Sequence, residues 1–445
     1  MYFKKIFVIL LISFIFNSCS NNPGVKNNLE RRMNNIATNY VKLVLKIGKI
    51  DPGYIDAYFG PKNLEVPDTE VIRNDPHTIK LFNAETDNLL NGLDSLSNYK
   101  ADKLESLRYR FLYKQLLAVK AKLFMISGGR FSFDEESKNL YDAVSPNFKK
   151  EHFQAIINKL DKILPGHGNI NKRLENFKKK FIIPKDKIDT VFMTAINECR
   201  KITLQHIALP GDEHFKVEFV DHKPWSGYNW YKGNSFSVIQ VNTDLPIYID
   251  RAIGLAAHEG YPGHHVYNIL MEKNLVKQRG WIEFSVYPLF SPQSLIAEGT
   301  ADFGITLLFP GNSRTIFAKD VLFPLAGLDS SKAEQYYKVL ALTKQLNYAS
   351  NIAAKNYLDG KWNKLQTINW LEKYNLMTDE RANQRLRFIE KYRSYIINYN
   401  VGFDLIKNYI YLKAGTAQQP EERWKIFEYL LSTPQTPSGL RNYKN

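Results

Sequence analysis

Apolar residues recur three and four positions apart along most of this chain, the spacing that gathers them on one face of an α-helix. Between 101 and 127 the pattern runs through Leu104, Leu107, Phe111, Leu112, Leu116, Val119 and Leu123. The stretches 147–164 and 186–209 repeat it, punctuated by Pro165-Gly166 and Pro210-Gly211. A further long helix is predicted over 331–359, and Thr378-Asp379-Glu380 has the form of a capped start for a helix running towards Tyr395. One region alternates instead. Phe215, Val217 and Phe219 within 214–220, then Phe236, Val238 and Val241 within 235–241, predict two strands of a small sheet, separated by the aromatic, glycine-containing segment 224–230. Directly afterwards, Thr243-Asp244-Leu245-Pro246 offers a cap and a first-turn proline for a helix running into His258. The pattern therefore predicts a mainly α protein with a small β-sheet.

Residues 1–19 stand apart from this fold. Lys4 and Lys5 precede an apolar run, 6–16, that is too short to span a bilayer as a mature helix. The run ends at Phe16-Asn17-Ser18-Cys19, which resembles a bacterial lipoprotein signal in which Cys19 becomes the lipidated first residue; Phe16 and Asn17 depart from the usual leucine and small residues. Residues 20–30 read as a flexible linker, and 31–445 as the mature body, with an N-terminal helical lobe (31–210) and a lobe carrying the chemistry (211–445). The expected location is the cell envelope, anchored through lipid to a bacterial membrane on the periplasmic side or at the surface. If Cys19 carries lipid, Cys199 has no partner for an intramolecular disulfide and reads as a small core residue. The net charge of +15, which becomes +13 without the two leader lysines, would suggest nucleic acid in a cytosolic protein, but an exported one meets little of it. The basic run 172–187 alternates with Glu and Phe and reads as solvated helix faces. A preference for acidic surfaces or substrates is compatible with the charge. An aromatic content of 13% excludes a disordered chain.

Three of the nine histidines fall within eight residues, in His258-Glu259-Gly260-Tyr261-Pro262-Gly263-His264-His265. Zinc hydrolases commonly hold Zn²⁺ with two His from one helix and a third carboxylate, with a Glu beside the first His as general base for a water. The regular second His is four residues on, where this chain has Pro262. In an unbroken helix His264 would point away from His258, and His265 would lie roughly 10.5 Å further along the axis. Pro262 cannot donate to the carbonyl of His258, so Pro262-Gly263 is expected to widen or interrupt the helix. With those two residues looped out, His264 takes the place of the second ligand, and His265 is left as a packing neighbour. Downstream, Glu298 is the candidate third ligand, and Asp302, one helical turn later, is placed to orient a ligating histidine.

A Glu-x-x-x-Asp after a His-Glu motif resembles the gluzincin metallopeptidases. Residues 258–265 are similar to the His-Glu-x-x-Pro-Gly-His signature of the family called domain of unknown function 885, whose members are often bacterial lipoproteins. Glu298-Gly299-Thr300-Ala301 resembles its Glu-Gly-x-Ala motif, with Thr300 where that family usually has Trp. The segment from Tyr395 to Gly402 is loosely similar to a third motif, with Arg393-Ser394 in place of Pro-Gly. Segments 56–61 and 131–136 also look family-like, so the resemblance spans nearly the whole mature chain. It implies an elongated, two-lobed helical body with a central cleft over zinc, an edge strand at 235–242 pairing with extended substrate, and Tyr399 or Tyr395 as donor to the developing oxyanion. It implies a zinc metallopeptidase that uses Glu259 as base and acts on a peptide or small amide. A zinc hydrolase of another amide or ester, and a binding lipoprotein without catalysis, are the alternatives. Retention of Glu259 speaks against the last, because binding needs the ligands and not the base.

Overall fold

The computed structural model describes residues 23–67, 75–96, 102–223, 225–415 and 419–442, so the leader and Cys19 lie outside the described residues. Several of its helices begin where a short polar side chain satisfies free backbone N–H groups. Asp75 caps Pro76–Asp94, Asp102 caps Lys103–Ile126, and Ser132 forms a reciprocal box with Glu135 at the head of Phe133–Tyr141. Helices dominate, and two small sheets complete the fold. β1 (Ile55–Tyr58) pairs antiparallel with β5 (Val286–Pro288). β2 (His214–Val220), β3 (Gly227–Tyr231) and β4 (Phe236–Asn242) make a three-stranded sheet in the order β2-β4-β3. Among the described residues, no helix is long and apolar enough to cross a membrane.

The principal core takes side chains from both sides of residue 210: Phe153, Val191 and Ile196 pack in one cluster with Ile239, Tyr261 and Phe303. A second core lies among the helices Pro23–Ile50, Pro76–Asp94 and Lys103–Ile126, built on Tyr40, Val44, Leu112 and Leu116. Fully burying each such side chain contributes on the order of 1.5–3 kcal/mol. The buried pair Arg108–Glu283, 2.6 Å from Nε to Oε1, ties the second core to the chain entering β5 and so to the helix that follows it.

Five expectations from the sequence need correction. Most of the segment 20–30 is helix and not linker, since Pro23–Ile50 is one helix and Leu29 packs against the second core. The stretch 331–359 is two helices, Ala333–Gln345 and Tyr348–Leu358, because the carbonyl of Leu346 accepts from Asn375 Nδ2 at 2.9 Å instead of continuing one helix. Thr243–Pro246 opens no helix: the Asp244 carboxylate accepts from the backbone of His222 and Lys223, and the helix starts at Ile249 after Tyr248. The aromatic segment after Pro224 supplies a third strand, β3. Its insertion alongside β4, with β2 parallel on the other side, makes β4 the central strand, so 235–242 has no free edge to offer a substrate.

Candidate metal centre

The helix Ile249–Leu255 passes into a wide π-turn over Ala256–Gly260, stops, and restarts as His264–Met271. The break lies at Pro262-Gly263, whose sequence forbids a regular turn. Tyr261 N donates to Ala256 O at 3.0 Å and Gly263 N to Ala257 O at 2.9 Å, so the backbone closes the gap by wide turns. Gly263 is required by close approach: a β-carbon there would sit 1.9 Å from the carbonyl oxygen of His258. The outcome is that Nε2 of His264 lies 3.2 Å from Nε2 of His258, although six residues separate them.

The third element is the helix Pro292–Leu308, buried along most of its length. It crosses the helix Ile397–Ala414 where Gly299 meets Gly402, so closely that a β-carbon on Gly299 would lie 2.5 Å from the Gly402 carbonyl. This crossing brings Glu298 in beside the histidines and Tyr395. Glu298 Oε2 is 3.2 Å from His258 Nε2, and Oε1 is 3.6 Å from His264 Nε2. Two donors on a tetrahedral Zn²⁺ at about 2.0–2.1 Å stand roughly 3.3 Å from one another. The separations of His258 Nε2 from His264 Nε2 and from Glu298 Oε2, 3.2 Å each, match two edges of such a tetrahedron, and the other Glu298 oxygen faces His264. Side-chain exposures of 14% for His258, 12% for His264 and 8% for Glu298 leave the cluster within reach of solvent.

The surroundings complete the fit. Asp302 Oδ1 lies 3.0 Å from His258 Nδ1, which fixes the proton there and leaves Nε2 as the acceptor. Tyr395 donates to Glu298 Oε1 at 2.8 Å, while Oε2 is buried without a hydrogen-bond partner. Burial opposes protonation of both histidines, but Asp302 and Glu298 hold His258 well above its ordinary pKa, and Glu298 raises His264. Burial alone would raise Glu298, yet the two histidines hold it far below the usual carboxylate range. Burial raises Glu259, with His258 and His264 opposing and Glu298 adding to the rise. The balance is that of three carboxylates around two imidazoles, a setting that favours positive charge between them. An orphaned carboxylate oxygen and facing imidazole nitrogens suit a divalent cation of the zinc type.

Sequence reasoning missed several residues that shape this site. Asn229 on β3 donates to the backbone carbonyl of Glu259 at 2.7 Å. Asp56 on β1 accepts from Tyr228; burial pushes it up to about 6, against the pull of Tyr228. Glu136 accepts from Ser394 N and Oγ and from Arg393, ending the preceding helix at Tyr392 and turning Tyr395 towards Glu298. Asp56 and Glu136 fall within segments 56–61 and 131–136, so a signal was present without a role. Tyr399 lies one turn beyond Tyr395, partly buried and within electrostatic range of Glu298 and Glu259. His265 is outside the cluster: Nδ1 is 2.8 Å from Ser237 Oγ and Nε2 is 3.2 Å from Glu213 Oε2. Of the other histidines, His206 stacks on Trp424, His214 stacks on Phe236, and His222 is exposed. Cys199 is a buried core residue.

No family model and no curated protein matches the chain. Among solved structures, it is similar to two bacterial chains described as "putative lipoproteins". That from Colwellia psychrerythraea has 14% identity and a TM-score of 0.51, covering 83% of this chain and 69% of that one. That from Shewanella oneidensis, of unknown function, has 11% identity and a TM-score of 0.46, with 82% and 72% covered. An M32 carboxypeptidase from Deinococcus radiodurans R1 aligns at 12% identity and a TM-score of 0.37, over 94% and 93% of the two chains. The Colwellia chain shares the fold.

Proposed function

We propose that this chain is a zinc-dependent hydrolase of the domain of unknown function 885 type, cleaving peptide bonds outside the cytoplasm. The observation that carries the reading is the convergence of His258, His264 and Glu298, from two separate helices, with Glu259 beside them. In this reading the three side chains hold Zn²⁺ through His258 Nε2, His264 Nε2 and the Glu298 carboxylate. Zinc, when bound, supplies Lewis-acid polarisation of the scissile carbonyl and of a water.

The protein's own groups divide the remaining work. Asp302 keeps a proton on His258 Nδ1, so that loss of the other proton exposes the Nε2 lone pair to the metal. Glu259 is anchored through its backbone by Asn229, and burial raises its proton affinity, which suits a carboxylate that accepts a proton from the attacking water and returns it to the leaving amine. The Tyr395 hydroxyl is engaged by Glu298, which makes it a positioning residue and assigns the donor role towards the developing oxyanion to Tyr399. Cys19 serves as the lipid attachment point of the exported protein.

The test begins with metal content. About one zinc per chain is expected from three protein ligands, and protein that neither carries nor takes up zinc would refute the reading. A panel of peptide, amide and ester substrates then fixes the scissile bond; hydrolysis of esters with no cleavage of any peptide would overturn the peptidase assignment. For the anchor, the wild type should partition with membranes and Cys19→Ala should be released. Equal partitioning would remove the lipid from the account.

A further inference from the structure

Beside the metal centre lies a group of cations gathered around a single carboxylate, that of Asp250. Lys178, Arg251 and Arg381 line a pocket of about 130 Å³ together with Trp225, Tyr248 and Leu255. Lys178 Nζ stands 4.7 Å from the centre of the Tyr248 ring, and the Arg381 guanidinium 5.6 Å from the same centre. Among the described residues, neither of these, nor Arg251, nor the adjacent Arg385, forms an ion pair with a carboxylate. The acid in the pocket wall, Asp250, accepts from Tyr336 Oη at 2.5 Å. Burial holds Lys178 below its ordinary pKa, with Asp250 opposing and Arg381 and Arg251 adding. Burial likewise lowers Arg385, and Arg251 and Arg381 add to it. The expectation that 172–187 is only a solvated face therefore fails at Lys178, which is half-buried against Tyr248. Like charges gathered in one partly desolvated pocket cost stability unless an anion joins them.

The pocket shares a wall with the hydrolytic site. A methyl group on Gly227 would come within 2.7 Å of Leu255 Cδ2 and 3.2 Å of Glu259 Oε1, so one glycine separates pocket from general base. The Arg251 guanidinium reaches along its helix to Gly254, where a β-carbon would be 3.9 Å from Nη1. Gly254 precedes Glu259 by five residues, at most roughly 7.5 Å along the axis because the later ones lie in the wide turn Ala256–Gly260. An extended peptide advances about 3.3 Å per residue. We propose that this pocket is an anion subsite of the same active site, receiving a substrate carboxylate about two to three residues from the scissile bond. The substrate class is then acidic peptides, or peptides whose free C-terminus falls at that distance. This inference rests on the peptidase reading above for the word substrate, though not for the anion itself.

The experiment measures binding of fluorescein-labelled alanine-rich octapeptides to the Glu259→Gln protein, which holds a peptide without turning it over. Each peptide carries one glutamate, scanned along the chain, and has a glutamine twin. The glutamate peptides should bind about tenfold or more tightly than their twins at one or two positions, as expected for charge-assisted hydrogen bonds in a partly buried site. Arg381→Gln and Lys178→Gln, made separately, should each erase that preference while leaving the affinity for the glutamine twin unchanged, which also certifies that the variants are folded. These twins are C-terminally amidated, and a free-acid form of each glutamine twin separates the two sources of carboxylate: tighter binding of the free acid than of its amide assigns the α-carboxylate, and a glutamate preference among the amides assigns the side chain. Equal binding of the amidated glutamate, amidated glutamine and free-acid peptides at every position, or a preference that survives both substitutions, overturns the subsite. The failures are separable. If wild-type protein cleaves all three forms alike, the peptidase reading stands and the subsite falls; if it cleaves none yet binds an acidic form selectively, the reverse holds.

Discussion

Two histidine–carboxylate clusters flank the same helix break, and they differ in a way that separates a structural site from a chemical one. Around His265, Glu213 receives Arg200 Nε at 2.7 Å and Tyr261 Oη at 2.6 Å and meets His265, whose other nitrogen meets Ser237. His265 and Glu213 have side-chain exposures of 0% and 2%. Around His264, two ring nitrogens face one another, one Glu298 oxygen meets His258 only as an ion pair without a hydrogen bond, and all three side chains keep some exposure. The same residue types, one position apart, thus give a closed network and an open one. Buried polar groups are ordinarily satisfied, so the unsatisfied cluster is the one arranged for something else.

The sharpest break of this comparison is to remove each histidine in turn. His258→Ala and His264→Ala should each abolish zinc retention, measured by metal analysis after dialysis. His265→Ala should keep the metal and lose about 2–3 kcal/mol of stability from a broken buried network. Zinc lost with His265 and kept without His264 would reverse the two clusters. Next in size, Glu259→Gln should bind zinc normally and lower turnover by about 10²–10⁴-fold, because an amide cannot take the proton. Undiminished turnover would dismiss Glu259 as the base. Asp302→Asn should weaken zinc affinity by about 10–100-fold, read by competition with a chelator.

The closed cluster makes a prediction in pH. Burial would raise Glu213, but His265, Tyr261 and Arg200 hold it down to about 2, against 4.5 for the free group. Its pKa is depressed in the folded state, so its contribution is present above pH 4.5 and is lost as pH falls from 4.5 towards 2. That contribution is up to about 3 kcal/mol. Unfolding free energies of wild type and Glu213→Gln should therefore converge across this window; a constant gap would contradict the network. The smallest expected effect is that of Tyr395→Phe, a few-fold loss in zinc affinity with the fold intact, since one hydrogen bond to Glu298 is removed.

Much of this was legible in the chain itself, because it depends on local rules. Helical periodicity, the capping of Asp379–Tyr392 by Thr378, and the β2 and β4 segments all follow from residues close in sequence. So does the broken helix, since a proline without an N–H and a glycine pressed on the His258 carbonyl leave no regular turn at 262–263. Other features depended on partners far away. That β4 is a central strand was decided by β3 and β2 closing on both its edges, and alternation along one strand carries no information about its neighbours. The approach of Gly299 to Gly402 carries Glu298 to its place, and Glu136 turns Tyr395 towards it across a gap of more than 250 residues in sequence. The cations of the anion pocket come from three segments, 178, 251 and 381, none of which has a motif. Sequence alone determined which side chains could hold a metal, because that chemistry lies in residue type and spacing; which of them meet, and what charge stands beside them, was settled by tertiary packing, because long-range approach depends on how helices and strands close against one another.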